Sequence, residues 1–305
     1  MKWAQVTITT SQEASEAVAN YLFERDATGI EIRDTPAPNS PSVTLISYFP
    51  TDDLIGERVH NLHEFLASLI QAGIDTHPAK VTLESIEEDN WSEQWRSAFP
   101  PQKIGKRLVI APTWDDIVPE SSEVLIRLDP GMAFGTGQHP TTQLALELLE
   151  ISIKRADAVA DIGTGSGILA IAAAKLGAKR IDAIDLDATT IPIARNNIQL
   201  NKVEPVISLH QGDGLNALER QQYPLIVANI LTKALLPMIP ICPQFLEPAG
   251  RLILSGILVQ EASQIEAQLE ANGFRVLEVR QLKENHELIQ SGENWVGILA
   301  QIGRS

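Results

Sequence analysis

The sequence predicts an α/β chain built around a doubly wound, mostly parallel sheet, with a smaller α+β unit ahead of it. Three observations carry this. From Thr141 onward, short apolar runs such as AVADI, RIDAID and PLIVAN alternate with helical segments, and such near-continuous runs belong to parallel strands covered on both faces. The first 86 residues follow a different order, β-α-β-β-α-β, that of a ferredoxin-like split βαβ unit. At 305 residues the chain is also longer than one core usually holds.

KWAQVTIT alternates with period two, and Ser11 is placed to cap a helix bearing Ala14, Val18, Tyr21 and Leu22. Gly29 turns the chain into a strand from Ile30 to Arg33, TPAPNSP forms a loop, and VTLISYF forms a third strand. An amphipathic helix from about Asp53 to Ala72 stops at Gly73, and KVTLESI closes the unit at residue 86. Residues 87–127 read as a linker with a short helix, capped by Asn90, and strands. Its three tryptophans, Trp91, Trp95 and Trp114, imply a segment packed against a domain and not a free tether. The remainder, 128–305, forms the doubly wound domain and ends in two strands, FRVLEVRQL and WVGILAQI, with no helix between them. They predict an antiparallel hairpin.

Composition narrows the function classes. With 44% hydrophobic and 21% charged residues and no apolar run of membrane-spanning length, the chain reads as soluble and cytoplasmic. One cysteine, Cys242, and six scattered histidines give no metal-ligand spacing. A net charge of −15 argues against direct nucleic-acid binding and suits a basic macromolecular partner.

Two glycine-rich segments carry the chemistry. DIGTGSG places Gly163, Gly165 and Gly167 between a strand and a helix, where backbone N–H groups can hold a ligand. Ile168 stands where a dinucleotide fingerprint requires a glycine, so an NAD-linked dehydrogenase is disfavoured. Asp185, about twenty residues on, ends the second strand, where a carboxylate accepts hydrogen bonds from ribose hydroxyls. Asp187 is its rival and also suits a helix cap. Asp213, after the third strand, suits either an adenine amino group or a turn.

The other segment, LDPGMAFGTGQHPTT, spans Leu128 to Thr142 and directly precedes the leading helix of the large domain. Its glycines permit a covering loop with Phe134 against a ligand. Thr141 or Thr142 is expected to cap a helix starting at Gln143, and His139 is expected to be structural rather than a base. Asn229, in VANIL, falls at the carboxyl end of the fourth strand.

Asp161, Gly163, Gly165, Gly167 and Asp185 together resemble the S-adenosylmethionine site of class I methyltransferases. That resemblance implies a seven-strand methyltransferase fold, with Gly163 and Gly165 against the methionine part and Asp185 on the ribose. LDPGMAFGTGQHPTT, DIGTGSGILAIAAAKLGA, AIDLD, VANIL, the connector's DNWSEQW and APTW, and Trp295 resemble the bacterial methyltransferase family acting on large-subunit ribosomal protein eleven. The match is strong from Trp91 onward and rests on element order before it. It implies cofactor contacts at Thr142, Gly163, Asp185 and Asn229; Asp161 and Gly165 from the class I pattern, and Phe134 and Asp213 from their positions, complete the expected binding set, and Asn229, at its strand's carboxyl end, is expected to be the catalytic residue. The resemblance further implies a basic ribosomal protein as substrate, methylated on lysine ε-amines and on the α-amine as a further target. A methyltransferase for another protein or a small molecule, and a non-catalytic S-adenosylmethionine-binding protein, share these residues and remain alternatives.

Overall fold

Alternation in the first strand and a heptad-like stripe in the second helix produce the smaller unit. The structure, a computed structural model, describes residues 3–23, 25, 30–35, 42–50, 55–71, 73–86, 99–129, 137–218, 222–283 and 294–303. These fall into two compact units, one holding the described residues from 3 to 86 and the other those from 99 to 303.

In the first unit, β1 (Trp3–Ser11), β2 (Ile30–Thr35), β3 (Ser42–Pro50) and β4 (Lys80–Ile86) form a sheet of order β2-β3-β1-β4. Every neighbouring pair is antiparallel. That is the ferredoxin-like arrangement expected from the element order. Val6 and Ile8 point from one face of β1 onto helices α1 (Gln12–Phe23) and α2 (Ile55–Gln71). Their partners are Ala14, Val18 and Leu22 on α1 and Leu62, Leu66 and Leu69 on α2, spacings that put each set on one helical face. Ser11 caps α1 as expected, its Oγ accepting the Ala14 N–H at 3.1 Å.

The second unit is centred on seven strands: β8 (Ala158–Ile162), β9 (Arg180–Asp185), β10 (Ile207–Gln211), β11 (Tyr223–Asn229), β12 (Leu246–Leu258), β13 (Phe274–Lys283) and β14 (Asn294–Ile302). Their order is β10-β9-β8-β11-β12-β14-β13. The first five run parallel, while β14 inserts antiparallel between β12 and β13. β8 is buried at all five positions, whereas the edge strand β13 alternates in burial. Strand order reverses between β8 and β11, which places their carboxyl ends, Ile162–Gly163 and Asn229, side by side at the sheet's switch point.

Helices α3 (Pro140–Ser152), α4 (Ile168–Lys175), α5 (Thr190–Leu200), α6 (Thr232–Met238) and α7 (Ala262–Ala271) flank the sheet. Of the segment read as a linker, residues 87–98, with Trp91, Trp95 and the Asn90-capped helix, lie outside the described residues. Residues 99–127 are part of the second unit. Strands β5 (Gln102–Ile104), β6 (Leu108–Pro112) and β7 (Val124–Leu128) form a small sheet of order β5-β6-β7. Ile104, Leu108, Ile110 and Ile126 share one core with Leu146, Leu149 and Ile171 of α3 and α4. Glu150 secures the β5–β6 turn by accepting the N–H groups of Lys106 and Arg107 at 2.8 and 2.7 Å.

Candidate active site

The carboxyl ends of β8, β9 and β11 bring together residues that are far apart in sequence. Gly163, Gly165 and Gly167 all have positive φ, so the chain turns tightly from β8 into α4. Gly163 and Thr164 both donate their N–H to Ile184 O at 2.9 Å, anchoring the turn to β9. Asp185 completes that anchor. Its Oδ2 accepts the Gly165 N–H at 2.7 Å and its Oδ1 accepts the Asp187 N–H at 3.0 Å. A carboxylate offers about four lone-pair sites, so two remain for ribose hydroxyls. Asp187 instead accepts Thr189 N–H and Oγ1–H at 2.8 and 2.7 Å, which fixes the turn ahead of the next helix; the cap itself is Thr189 and not Asp187.

Asp161 is fully buried beneath the glycine turn. Its Oδ2 accepts from Thr164 Oγ1 at 2.7 Å and from Ala170 N at 3.1 Å, while Oδ1 is buried without a partner. Burial pushes the carboxyl pKa up to about 7; the Thr164 and Ala170 hydrogen bonds oppose this rise and the Asp185 charge adds to it. A raised carboxyl contributes stability that is fully present below about pH 3.8 and is lost as pH rises to about 7. Asp161→Asn keeps an acceptor for Thr164 and Ala170 but has no ionised form. Its stability relative to the unaltered protein is therefore expected to grow between pH 4 and 7 and then level off, by on the order of a few kcal/mol. Urea midpoints measured across that range test this, and parallel curves for the two proteins would refute it.

Asn229 supplies the second orphaned acceptor. Its Nδ2 donates to Thr142 Oγ1 at 3.3 Å, which leaves Oδ1 buried and unpartnered. Thr142 is itself fully buried in the first turn of α3. The start of that helix differs from expectation: it begins at Pro140, and its cap is His139 instead of Thr141 or Thr142. Proline's fixed φ favours the first helical position, and His139 Nδ1 accepts the Thr141 N–H at 3.3 Å. The imidazole also packs edge-on against Trp295, with centroids 5.1 Å apart. These contacts give His139 the structural role expected of it.

Asp213 lies just beyond β10, beside β9, and caps a short 3-10 turn through its backbone. Phe134, Gly131 and Gly135 lie outside the described residues, but both flanks of their segment are placed. Asp129 N donates to Asn197 Oδ1 at 3.1 Å, and Asn197 Nδ2 donates to Ser166 O at 2.9 Å. A Cβ on Gly137 would meet Ile110 and Ile168 at 3.3–3.5 Å. Asn197, buried on α5, thus ties the entry of the first glycine-rich segment to the second. Sequence reading missed it because neither residue of the Asn196–Asn197 pair, midway along an amphipathic helix, carries a local signal that marks it as buried.

A tight glycine turn, a carboxylate at the end of β9, and two buried acceptors without partners suit a ligand with N–H, O–H and cationic groups. That chemistry, on a 3-2-1-4-5-7-6 sheet, defines the class I methyltransferases. A model of the family described as "Ribosomal protein L11 methyltransferase (PrmA)" matches residues 2–291. The chain belongs to that family. The protein of this name from Anoxybacillus flavithermus is 36% identical over 321 residues, covering 99% of each chain. That from Bacillus subtilis is 35% identical over 321 residues, covering 99% of this chain and 100% of its own. The crystal structure of ribosomal protein L11 methylase from Lactobacillus delbrueckii subsp. bulgaricus aligns with a TM-score of 0.58 at 37% identity, covering 67% of this chain and 99% of that one. Among the described residues, no helix is long and apolar enough to cross a membrane.

Proposed function

We propose that this methyltransferase moves methyl groups from S-adenosylmethionine to lysine ε-amines, and to the α-amine, of a basic large-subunit ribosomal protein, L11, in the cytoplasm. The observation that carries the site reading is the unpartnered, buried Asn229 Oδ1 beside the glycine turn. A buried acceptor without a partner is costly unless a ligand completes it.

In this reading Gly163 and Gly165 present the turn to the donor's methionine part, Asp161 Oδ1 accepts from its ammonium, Asp185 accepts from its ribose, and Asp213 meets its adenine. Phe134 and Thr142 complete the binding set. The donor, when bound, supplies an electrophilic methyl on a sulfonium.

The chain's own task is to present a neutral amine to it. A free lysine is about 99.9% protonated near pH 7.4, which costs roughly 4 kcal/mol to reverse. Asn229 Oδ1 can accept one amine N–H and so aim the lone pair, and because the amide is uncharged it stabilises the ammonium far less than a carboxylate would. Thr142 holds the amide by its other end. The proton leaves to water before the amine docks, so no general base is assigned. Orientation then supplies most of the rate gain.

The first unit, in this proposal, recognises the acceptor protein, and the −15 net charge favours its encounter with a basic partner. Transfer of label from methyl-labelled S-adenosylmethionine to unmethylated ribosomal proteins, resolved by mass, tests the function. One large-subunit protein gaining multiples of a methyl mass is the expected result. Donor binding without transfer to any ribosomal protein would refute the substrate, and label on a small molecule alone would favour the alternative class. Slowed amide exchange across residues 3–86 on adding that acceptor is expected, and unchanged exchange there would remove recognition by this unit.

A further inference from the structure

Ile230, the residue after Asn229, lies between two glycines from different elements. Gly256 on β12 has φ +85, and a Cβ there would fall 2.4 Å from Ile230 O, 2.8 Å from Ile230 C and 3.2 Å from Ile230 N. These are backbone atoms, so no side-chain rotation relieves the contact, and any larger residue must displace the Ile230–Leu231 peptide and, through Ile230, the backbone leaving Asn229. On the opposite side, Ile230 Cγ2 would lie 2.4 Å from a Cβ on Gly163. The 229–231 backbone is thereby seated on β12 while its side chain rests on the glycine turn.

The residue before Gly256 reaches the other half of the same setting. Ser255 is fully buried and pairs in register with Asn229. Its Oγ donates to Thr141 O at 2.7 Å. Thr141 directly precedes Thr142, whose Oγ1 takes the Asn229 Nδ2–H. Ser255 and Gly256 therefore hold, respectively, the helix turn that orients the Asn229 amide and the Ile230 backbone that directly follows it.

We propose that Ser255 and Gly256 are positioning residues for methyl transfer, acting through Asn229 and Ile230 more than through affinity for the donor. The proposal rests on the reading of Asn229 as the residue that orients the amine. An in-line displacement is sensitive to displacements of about 1 Å, which cost roughly a hundredfold in rate, and a Cβ at Gly256 would demand a shift of about that size.

The test uses the full chain with Ser255→Ala, Gly256→Ala, Asn229→Ala and the Ser255→Ala/Asn229→Ala pair. Readouts are kcat and KM for the acceptor, donor-site affinity from calorimetry with S-adenosylhomocysteine, and Tm. Ser255→Ala is expected to lower kcat about tenfold and Gly256→Ala about a hundredfold, each with KM for the acceptor within about twofold and with a loss of donor-site affinity several-fold smaller than the loss of kcat, because Thr142 and Gly163 also meet the donor. In the Asn229→Ala background, Ser255→Ala is expected to cost nothing further, because residues acting through one group are not additive. Ser255→Ala removes one hydroxyl, so the test survives a failure of Gly256→Ala to fold. Unchanged kcat in Ser255→Ala, a loss that multiplies that of Asn229→Ala, or losses confined to Tm and donor affinity would each overturn the proposal. Full activity in Asn229→Ala would instead bring down the Asn229 reading, and the positioning role with it.

Discussion

Asn229→Ala is expected to lower kcat by about a hundredfold to a thousandfold while leaving donor affinity within about threefold. The argument is one of geometry. Asn229 ends β11 at the switch point, its Nδ2 engaged by Thr142 and its Oδ1 buried without a partner. Removing it deletes the acceptor that would aim the amine's lone pair, yet leaves Asp161, the glycine turn and Asp185 in place. Single-turnover rates with the ribosomal acceptor, beside calorimetry of the donor site, separate the two effects. A parallel loss of donor affinity would make Asn229 a binding residue only. Asn229→Asp sharpens the point. An anion at that position stabilises the ammonium and raises the amine pKa, so the rising limb of the pH–rate profile should move to higher pH. A profile that does not move would separate Asn229 from the amine.

Asp185→Ala should weaken donor binding by about a hundredfold or more. Two hydrogen bonds from ribose hydroxyls to a carboxylate are worth on the order of 1.5–3 kcal/mol each. The same substitution also orphans the N–H groups of Gly165 and Asp187, which Asp185 accepts at 2.7 and 3.0 Å. Asp185→Asn is the more informative partner. An amide NH₂ must then face one of those two N–H donors, so this near-isosteric change is expected to lose nearly as much as alanine. Calorimetric titration with S-adenosylhomocysteine measures both. An asparagine variant with native affinity would mean that Asp185 serves neither the ribose nor the turn through its charge.

Legibility in the sequence differed by residue and for identifiable reasons. The β8 strand, the glycine run after it and Asp185 were readable because they form one βαβ unit, whose parts are related by short fixed spacings. Asp161 was readable as a member of the pattern, but not as a buried acid with one satisfied oxygen, since burial depends on what closes over it. The cap of α3 was misplaced by reading threonines as caps. Pro140 is better suited to the first helical turn, and the cap fell to the histidine before it. The role of residues 99–127 was visible only in part. Trp114 and the strands were recognisable, but the sequence carries no sign that Ile104, Leu108 and Ile110 join the core of the large unit.

The sequence by itself determined the element types, the parallel core, the glycine turn and the acidic residue opposite it, because each is set by local periodicity, backbone freedom or short spacing. Only the tertiary structure decided that Asn229 lies next to Gly163, that Thr142 holds its amide, and that Ser255, Gly256 and Asn197 brace the site. Those neighbours come from different strands and helices, up to 114 residues apart in the Ser255–Thr141 contact. Their proximity follows from the order in which the strands pair, and strand order is fixed by the packing of whole faces rather than by any stretch of residues.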